Sequence, residues 1–148
     1  MAESTVQSIE ISAPAELLFE VAADVERYPE WATGVRRVEV LERTPEGMAH
    51  RAHFVVEGMV KEIDYVLVYQ YDHPRRMSWV AEPGDDITLM EGSYDFKPLE
   101  DGATEVVYGL RAEIAFKIPG FLRRQVEKQI VGTALRGLRS RAEELADD

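Results

Sequence analysis

Residues 120–145, GFLRRQVEKQIVGTALRGLRSRAEEL, contain the longest helical pattern in the chain. At about 1.5 Å per residue, a helix of this length can cross a whole sheet. Apolar residues recur every four positions and predict the stripe that faces the sheet: Leu122, Val126, Ile130, Ala134 and Leu138. The stretch therefore predicts one long helix packed against a sheet.

The sheet itself is predicted between residues 35 and 116, where six strand-like runs alternate with short turn sequences. The runs are VRRVEVLER (35–43), MAHRAHFVVE (48–57), MVKEIDYVLVYQY (59–71), RMSWVAE (76–82), ITLMEGSYDFKPL (87–99) and TEVVYGLRAEIAF (104–116). Consecutive strands joined by short connections predict an antiparallel sheet.

Two hairpins indicate which face of this sheet is apolar. A tight turn at Glu57-Gly58 predicts Arg51 opposite Asp64 and His53 opposite Glu62. The apolar side chains of this hairpin then share the other face: Phe54, Val56, Ile63 and Tyr65. The turn at 100–103 likewise groups Met90, Tyr94, Phe96, Val106, Tyr108, Leu110 and Ile114 on one face. We expect the long helix to cover this face.

The N-terminal part adds one strand and two helices. TVQSIEI (5–11) alternates as a strand, and SAPAELLFEVAADV (12–25) has helical spacing. In ERYPEWATGV (26–35), Pro29 is predicted to end the first helix and to begin a second, short one. Trp31 is then expected to pack that short helix over one end of the sheet; the alternative is that it contacts a ligand. The order predicts an α+β fold with its helices on one face of a seven-stranded antiparallel sheet.

Composition limits the function classes. The chain has 148 residues, of which 45% are hydrophobic, and this predicts a single domain over 1–148. We expect a cytoplasmic protein, because no run resembles a membrane span or a signal peptide. Seventeen basic against 28 acidic residues give a net charge of −11, which opposes binding to nucleic acid. The chain has no cysteine, so disulfides and thiolate chemistry are excluded.

No catalytic or metal-binding constellation is apparent. His50 and His53 are three residues apart on a strand, so they point to opposite faces. His73 lies in a turn, where a solvated role is expected. No Gly-rich phosphate loop occurs either. We therefore expect no metal and no cofactor.

Five segments in their order and spacing resemble one superfamily: IEISAPAELLFEVAAD (9–24), YPEW (28–31), VEVLER (38–43), GSYDF (92–96) and VEKQIVGTALRGLRSRAEEL (126–145). The chain resembles the START/SRPBCC superfamily, within it the polyketide cyclase/dehydrase and lipid transport group and the coenzyme-Q-binding START-like proteins. This resemblance implies the helix-grip fold, in which a curved sheet wraps around a long C-terminal helix. It also implies an elongated cavity for an apolar ligand. Lipid carriers, hormone receptors, aromatase/cyclases and chaperone activators share this fold, so it implies no single function.

The predicted inward faces supply candidate cavity residues. On the sheet they are Phe54, Tyr65, Leu67, Tyr69, Trp79, Met90, Tyr94, Phe96 and Tyr108, and on the helix Val126, Ile130, Thr133, Ala134 and Gly137. Buried tyrosine hydroxyls need partners, which a cavity supplies as water or ligand. Gly137 either leaves space for ligand or allows close contact with the sheet. We expect an enclosed apolar pocket of at least about 300 Å³ between sheet and helix.

The segment AFKIPGFLRR (115–124) is predicted to form the entrance or lid of this cavity. Its candidate residues are Phe116, Lys117, Ile118, Phe121 and Leu122. Basic groups beside apolar ones favour weak, transient contact with an anionic membrane. The alternative is that the apolar residues of this segment only pack the start of the helix against the sheet, while its basic residues stay solvated.

Three functions remain open. The first is binding or transport of a hydrophobic small molecule, such as a lipid, an isoprenoid quinone or a polyketide. The second is a polyketide aromatase/cyclase, in which Tyr108 or Tyr65 would assist proton transfer, although no residue can be assigned a catalytic role. The third is a protein-interaction module of the antitoxin or chaperone-activator type, which would use the outer face of the sheet. The sequence does not identify the ligand or the oligomeric state.

Overall fold

The computed structural model of the chain describes residues 5–57, 61–114 and 120–146, without the side chains at 114, 120, 122 and 123. The strands are β1 (Thr5–Ile11), β2 (Val35–Arg43), β3 (Ala49–Glu57), β4 (Glu62–Asp72), β5 (Arg76–Ala81), β6 (Ile87–Pro98) and β7 (Thr104–Ile114). The helices are α1 (Ala15–Ala23), α2 (Tyr28–Trp31) and α3 (Gly120–Ala146), with a 3₁₀ turn at Val25–Arg27 between α1 and α2. This order confirms the predicted strand, two short helices, six strands and long helix. Pro29 does not end the first helix as predicted, because α1 already ends at Ala23; Pro29 lies in the first turn of α2, which begins at Tyr28.

All seven strands form one antiparallel sheet in the order β1-β7-β6-β5-β4-β3-β2. Strands β2 to β7 follow one another as a meander, and β1 completes the sheet beside β7. The predicted seven-stranded α+β architecture is thus confirmed. None of the described helices is both long enough and apolar enough to span a membrane.

The predicted register between β3 and β4 was wrong by four residues. Glu57 pairs with Glu62, so Arg51 lies opposite Val68 and His53 opposite Val66. The tight two-residue turn assumed at Glu57-Gly58 is replaced by four residues between the paired ends. Because four is an even number, every side chain keeps its predicted face. Phe54 consequently still shares the inner face with its partner Tyr65.

Between β6 and β7 the predicted faces are confirmed for the described side chains. Tyr94 pairs with Tyr108 and Phe96 with Val106. All four are buried. The side chain of Ile114, which was predicted on the same face, lies outside the described part of the chain. These two adjacent strands therefore present an aromatic inner face to the helices.

The predicted stripe of α3 needs correction at Ile130, which is 43% exposed. The buried stripe consists of Val131, Leu135, Leu138 and Ala142. A spacing of four advances about 40° beyond one full turn, so a long row of i+4 positions drifts out of the interface. Alternating steps of four and three keep the real stripe on one side. Val126 and Ala134 are half-buried, whereas the side chain of Leu122 is not described.

Helix α1 fills the space beside α3 with Leu18, Phe19 and Ala22, all nearly fully buried. One buried hydrogen bond fixes the turn before α1, because Thr104 Oγ1 on β7 donates to the carbonyl oxygen of Ala13 at 2.7 Å. The short helices are thereby tied to the edge of the sheet where β1 meets β7.

Candidate functional site

The inner face of the sheet has a continuous row of aromatic rings on β4 to β7. This aromatic band consists of Tyr69, Trp79, Tyr94 and Tyr108, each less than a tenth exposed. The ring centroids of Tyr94 and Tyr108 are 4.6 Å apart, and Trp79 lies 5.5 Å from each of them. Tyr69 follows at 6.0 Å from Trp79. The register of the strands therefore brings together four of the predicted cavity residues.

Further candidates lie around the band. Phe54 stacks on Tyr65 at 5.6 Å, which extends the aromatic surface toward β3. Phe96 stacks on Tyr94 at 5.7 Å. Leu67 is buried and Met90 half-buried within the same core. All predicted residues of the sheet thus lie on its covered face.

Gly92 allows Trp79 to lie across β6. A Cβ atom at Gly92 would stand 2.5 Å from Cζ2 of Trp79 and 2.9 Å from the carbonyl oxygen of Gly109. Real Cβ atoms essentially never come within 3.0 Å of another heavy atom. A glycine opposite Trp79 is therefore a geometric requirement of the band.

Burial strongly affects the acidity of the tyrosines on this face. It raises the pKa of Tyr65, Tyr69, Tyr94 and Tyr108 above the ordinary value of 10.0. After burial, interaction with the hydroxyls of Tyr94 and Tyr65 contributes to the raised pKa of Tyr108. At neutral pH all four are neutral phenols that can donate or accept hydrogen bonds but cannot act as bases.

The tyrosines fall into two groups according to their hydrogen bonds. Tyr28 donates to the carbonyl oxygen of Ala22, and Tyr71 donates to that of Ala49. The hydroxyls of Tyr65, Tyr69, Tyr94 and Tyr108 have no hydrogen-bond partner within the described ranges. In that same part of the chain, Nε of Arg111 is the one side-chain polar atom that is both sealed from water and unpaired. The four unpaired tyrosine hydroxyls are therefore not sealed from water. Each of them reaches space that water or a ligand atom can occupy.

Gly137 has a different neighbour from the one expected. A Cβ atom there would lie 3.3 Å from both Cε3 and the carbonyl oxygen of Trp31. The glycine therefore allows α2 to approach α3, instead of leaving room for a ligand or for the sheet. Trp31 packs against the core and makes an edge contact with Tyr28 at 5.0 Å. The predicted architectural role of Trp31 is confirmed.

The other helix candidates lie at the margins of the interface. Thr133 and Ala134 are half-buried, and Ala134 packs against the core. Ile130 lies on the exposed surface of α3, so it does not face the interior as predicted. Phe121, a predicted lid residue, is 62% exposed. Phe116, Lys117, Ile118 and the side chain of Leu122 lie outside the described residues, so the lid and its membrane contact stay predictions.

Two large concavities of the described chain both open to solvent. A groove of about 560 Å³ lies between α1 and the β2–β3 hairpin. A cleft of about 520 Å³ lies between α2 and α3 and includes Trp31, Arg136 and Gly137. Neither lies between the aromatic band and α3. The enclosed pocket expected there stays a prediction, supported by the unpartnered hydroxyls.

His50 and His53 contact different groups. Nδ1 of His50 lies 3.2 Å from the carbonyl oxygen of Tyr69, and Nε2 of His53 lies 3.4 Å from Oδ1 of Asp64. Across the described ranges, no three histidine, aspartate or glutamate side chains come together in a way that could hold a metal ion.

Sequence reasoning missed the buried carboxylate of Glu127, which is 3% exposed. Its Oε2 accepts the backbone N–H of Ala112 on β7 at 3.3 Å. The described pairing of β1 with β7 stops at Leu110, so this carboxylate continues the hydrogen bonding of the β7 edge. In the sequence Glu127 appeared only as the one acid among the basic residues of 117–141, and that isolation was the available signal.

Comparison with known proteins establishes the family. Residues 11–139 match the family described as polyketide cyclase/dehydrase and lipid transport, and the chain therefore belongs to it. Among curated proteins, the granaticin polyketide synthase bifunctional cyclase/dehydratase of Streptomyces violaceoruber is 28% identical over 126 residues. The match covers 79% of this chain and 36% of that relative, so the chain spans about a third of its length.

Solved structures show the same fold. A START superfamily protein from Mycobacterium smegmatis superposes with a TM-score of 0.88 at 21% identity, covering 96% of this chain and 98% of that one. The Zhui aromatase/cyclase from Streptomyces sp. R1128 superposes with a TM-score of 0.81 at 18% identity, covering 97% and 94%. The helix-grip fold implied by the sequence resemblance is confirmed.

Proposed function

We propose that this domain binds a hydrophobic small molecule between the aromatic band and α3, as a carrier or binding module. The observation that supports this most directly is the set of four tyrosine hydroxyls on the covered face of the sheet that have no hydrogen-bond partner within the described ranges. Ligand pockets typically combine apolar walls with a few polar groups that orient the ligand. The family, which includes lipid transport proteins by its description, agrees with such a role.

The chemistry of the band favours an oxygenated ligand. A neutral phenol can donate to a keto oxygen and accept from a hydroxyl. A saturated chain would leave the hydroxyls of Tyr94 and Tyr108 unpaired, which costs roughly 1–3 kcal/mol for each buried polar group. A quinone or a polyketide has oxygens on an apolar frame and avoids this cost. These two ligand classes therefore fit better than a plain acyl lipid.

The direct test is native mass spectrometry of the purified protein, with organic extraction and identification of any bound molecule. We expect an adduct whose extracted component is apolar and oxygenated. The matched control is the double variant Tyr94→Phe/Tyr108→Phe, which keeps the aromatic rings and should lose most of the adduct. If wild type shows no adduct and no saturable uptake of an added naphthoquinone, the proposal is wrong.

A second candidate function is a polyketide aromatase/cyclase, favoured by the 28% identity with the bifunctional cyclase/dehydratase. In such a reaction Tyr108 or Tyr65, kept neutral by burial, would donate a hydrogen bond to an oxygen that gains negative charge during ring closure. An enzyme of this kind should lose turnover in Tyr108→Phe much more than it loses substrate affinity. Equal losses in both quantities would favour simple binding.

A further inference from the structure

The open groove of about 560 Å³ has an apolar interior and a charged rim. One wall is α1 with the following 3₁₀ turn, and the other is the β2–β3 hairpin. Phe19, Val25 and Ala49 form a buried floor. The rim residues are Glu20, Asp24, Glu26, Arg43, Glu46 and His73. Its volume is within the range of small-molecule sites, about 300–1,000 Å³.

Phe19 connects this groove with the interior. Its ring contacts Phe96 with centroids 6.0 Å apart. Phe96 in turn stacks on Tyr94 of the aromatic band. The floor of the groove is therefore only two ring contacts away from the unpartnered hydroxyls. The ring of Phe19 also contacts His73 and Tyr71, with centroids 4.7 and 5.9 Å apart, and it separates the groove from the aromatic band.

The mouth of the groove is held by one ion pair. Nη2 of Arg43 on the hairpin lies 2.6 Å from Oε1 of Glu26 in the 3₁₀ turn, and both side chains are half-exposed. Within the described ranges it is the one side-chain hydrogen bond or ion pair between this turn or α1 and the hairpin. Exposed ion pairs hold segments together only weakly. The two walls are also held by apolar packing, since Val25 of the turn and Ala49 of the hairpin both belong to the buried core.

We propose that this groove is the entrance through which the ligand reaches the aromatic band. The Arg43–Glu26 ion pair is its clasp, and Phe19 is its inner gate. The proposal rests on the proposed function. It places the entrance at the end of the sheet where the β2–β3 and β4–β5 turns lie. The chain leaves β7 for residues 115–124 at the opposite end, so this entrance differs from the lid predicted from the sequence.

The charge of the rim indicates which ligands pass. Four acidic residues line the rim together with Arg43 and His73. Arg43 pairs with Glu26, and Asp24 pairs with Arg27 beside the rim, so Glu20 and Glu46 leave an acidic excess. An anionic head group would be repelled, whereas an uncharged molecule would not. The entrance therefore suits a neutral apolar ligand. This agrees with a quinone or an uncharged polyketide rather than an anionic phospholipid.

The absence of cysteine allows a clean test. In Glu26→Cys/Arg43→Cys a short bismaleimide can link the two walls covalently. The matched control is Glu30→Cys/Arg141→Cys, which replaces the ion pair of 3.1 Å between α2 and α3. The probe is the neutral fluorophore N-phenyl-1-naphthylamine, whose uptake and release are followed by stopped flow. Closing the groove should slow both rates by on the order of tenfold while the Kd stays within about threefold, because a gate changes rates and not affinity.

Each outcome decides a different point. Saturable binding with unchanged rates in the linked groove overturns the entrance and leaves the proposed function intact. Equal slowing in both linked proteins also overturns it, since general stiffening would then explain the effect. If wild type binds no probe at all, the proposed function fails and the entrance fails with it. Glu26→Gln, which removes the ion pair without a link, should accelerate uptake, and unchanged or slower uptake would contradict the clasp.

Discussion

Gly137 on α3 lies directly against Trp31 on α2, since a Cβ atom at Gly137 would stand 3.3 Å from Cε3 and from the carbonyl oxygen of Trp31. This contact explains why a short Tyr-Pro-Glu-Trp helix precedes β2. Pro29 lies in the first turn of this helix, and Trp31 packs the helix onto α3 at Gly137, where no side chain intervenes. The pair therefore positions α2 over the end of the fold.

The first prediction follows from this contact. Gly137→Leu should lower the free energy of unfolding by about 1–3 kcal/mol, because the new side chain must displace Trp31. The gain in helix propensity, about 1 kcal/mol, offsets only part of this loss. Denaturant unfolding measures the change, and the emission of Trp31 in a Trp79→Phe background should shift with it. Unchanged stability together with unchanged emission would contradict the contact.

The second prediction concerns Gly92 under Trp79. Gly92→Ala should destabilise the fold by about 1–3 kcal/mol and alter the near-UV circular dichroism of Trp79, because the new methyl group overlaps the indole. Gly109→Ala is the matched control on the neighbouring strand. There the nearest atoms outside the adjoining residues would be 3.8 Å away, so a change within about 0.5 kcal/mol is expected. Equal melting temperatures for the two variants would disprove this account of the band.

The third prediction concerns alkaline pH. Burial raises the pKa of all six tyrosines above 10.0, the value expected for an exposed residue. Their contribution to stability is therefore fully present below pH 10 and is lost as the pH rises toward the pKa of the folded state. Phenolate absorbance should stay low near pH 10 and increase only together with unfolding. Gradual ionisation near pH 10 with intact circular dichroism would contradict the buried environment.

The strand faces could be predicted from the sequence, but the β3–β4 register could not. Apolar residues alternate with a period of two along each strand, so the sequence predicts which side chains share a face. A register shift of four residues leaves that assignment unchanged. The register instead depends on the number of residues in the turn, for which Glu57-Gly58 gave a misleading signal. Ile130 and Val131 are adjacent in the sequence and both are apolar, so spacing alone did not decide which of the two α3 buries.

The candidate site could be predicted only in part. The inward positions of Tyr94 and Tyr108 follow from alternation. Whether a hydroxyl finds a backbone acceptor depends on distant segments, as Tyr28 and Tyr71 show by donating to Ala22 and Ala49. Glu127 was missed for the same reason, because its partner is a backbone N–H of another element.

The fourth prediction separates the tyrosines by their partners. Tyr28→Phe and Tyr71→Phe each remove a hydrogen bond within the protein and should cost about 0.5–1.5 kcal/mol of stability. Tyr94→Phe and Tyr108→Phe remove a hydroxyl that has no hydrogen-bond partner in the described part of the chain, so their unfolding free energies should stay within about 0.5 kcal/mol of wild type. Chemical denaturation of the four variants measures this contrast. A loss in Tyr94→Phe as large as that in Tyr28→Phe would mean that its hydroxyl is already satisfied by the protein.

The most direct test of the central claim is the affinity of these four variants for a neutral naphthoquinone, measured by quenching of Trp79 fluorescence in a Trp31→Phe background. If the hydroxyls of the aromatic band serve a ligand, Tyr94→Phe and Tyr108→Phe should each weaken binding by about 2–10-fold, the equivalent of one hydrogen bond. Tyr28→Phe and Tyr71→Phe should leave the Kd within about twofold of wild type. Unchanged affinity in Tyr94→Phe and Tyr108→Phe, or equal weakening in all four variants, would contradict the claim.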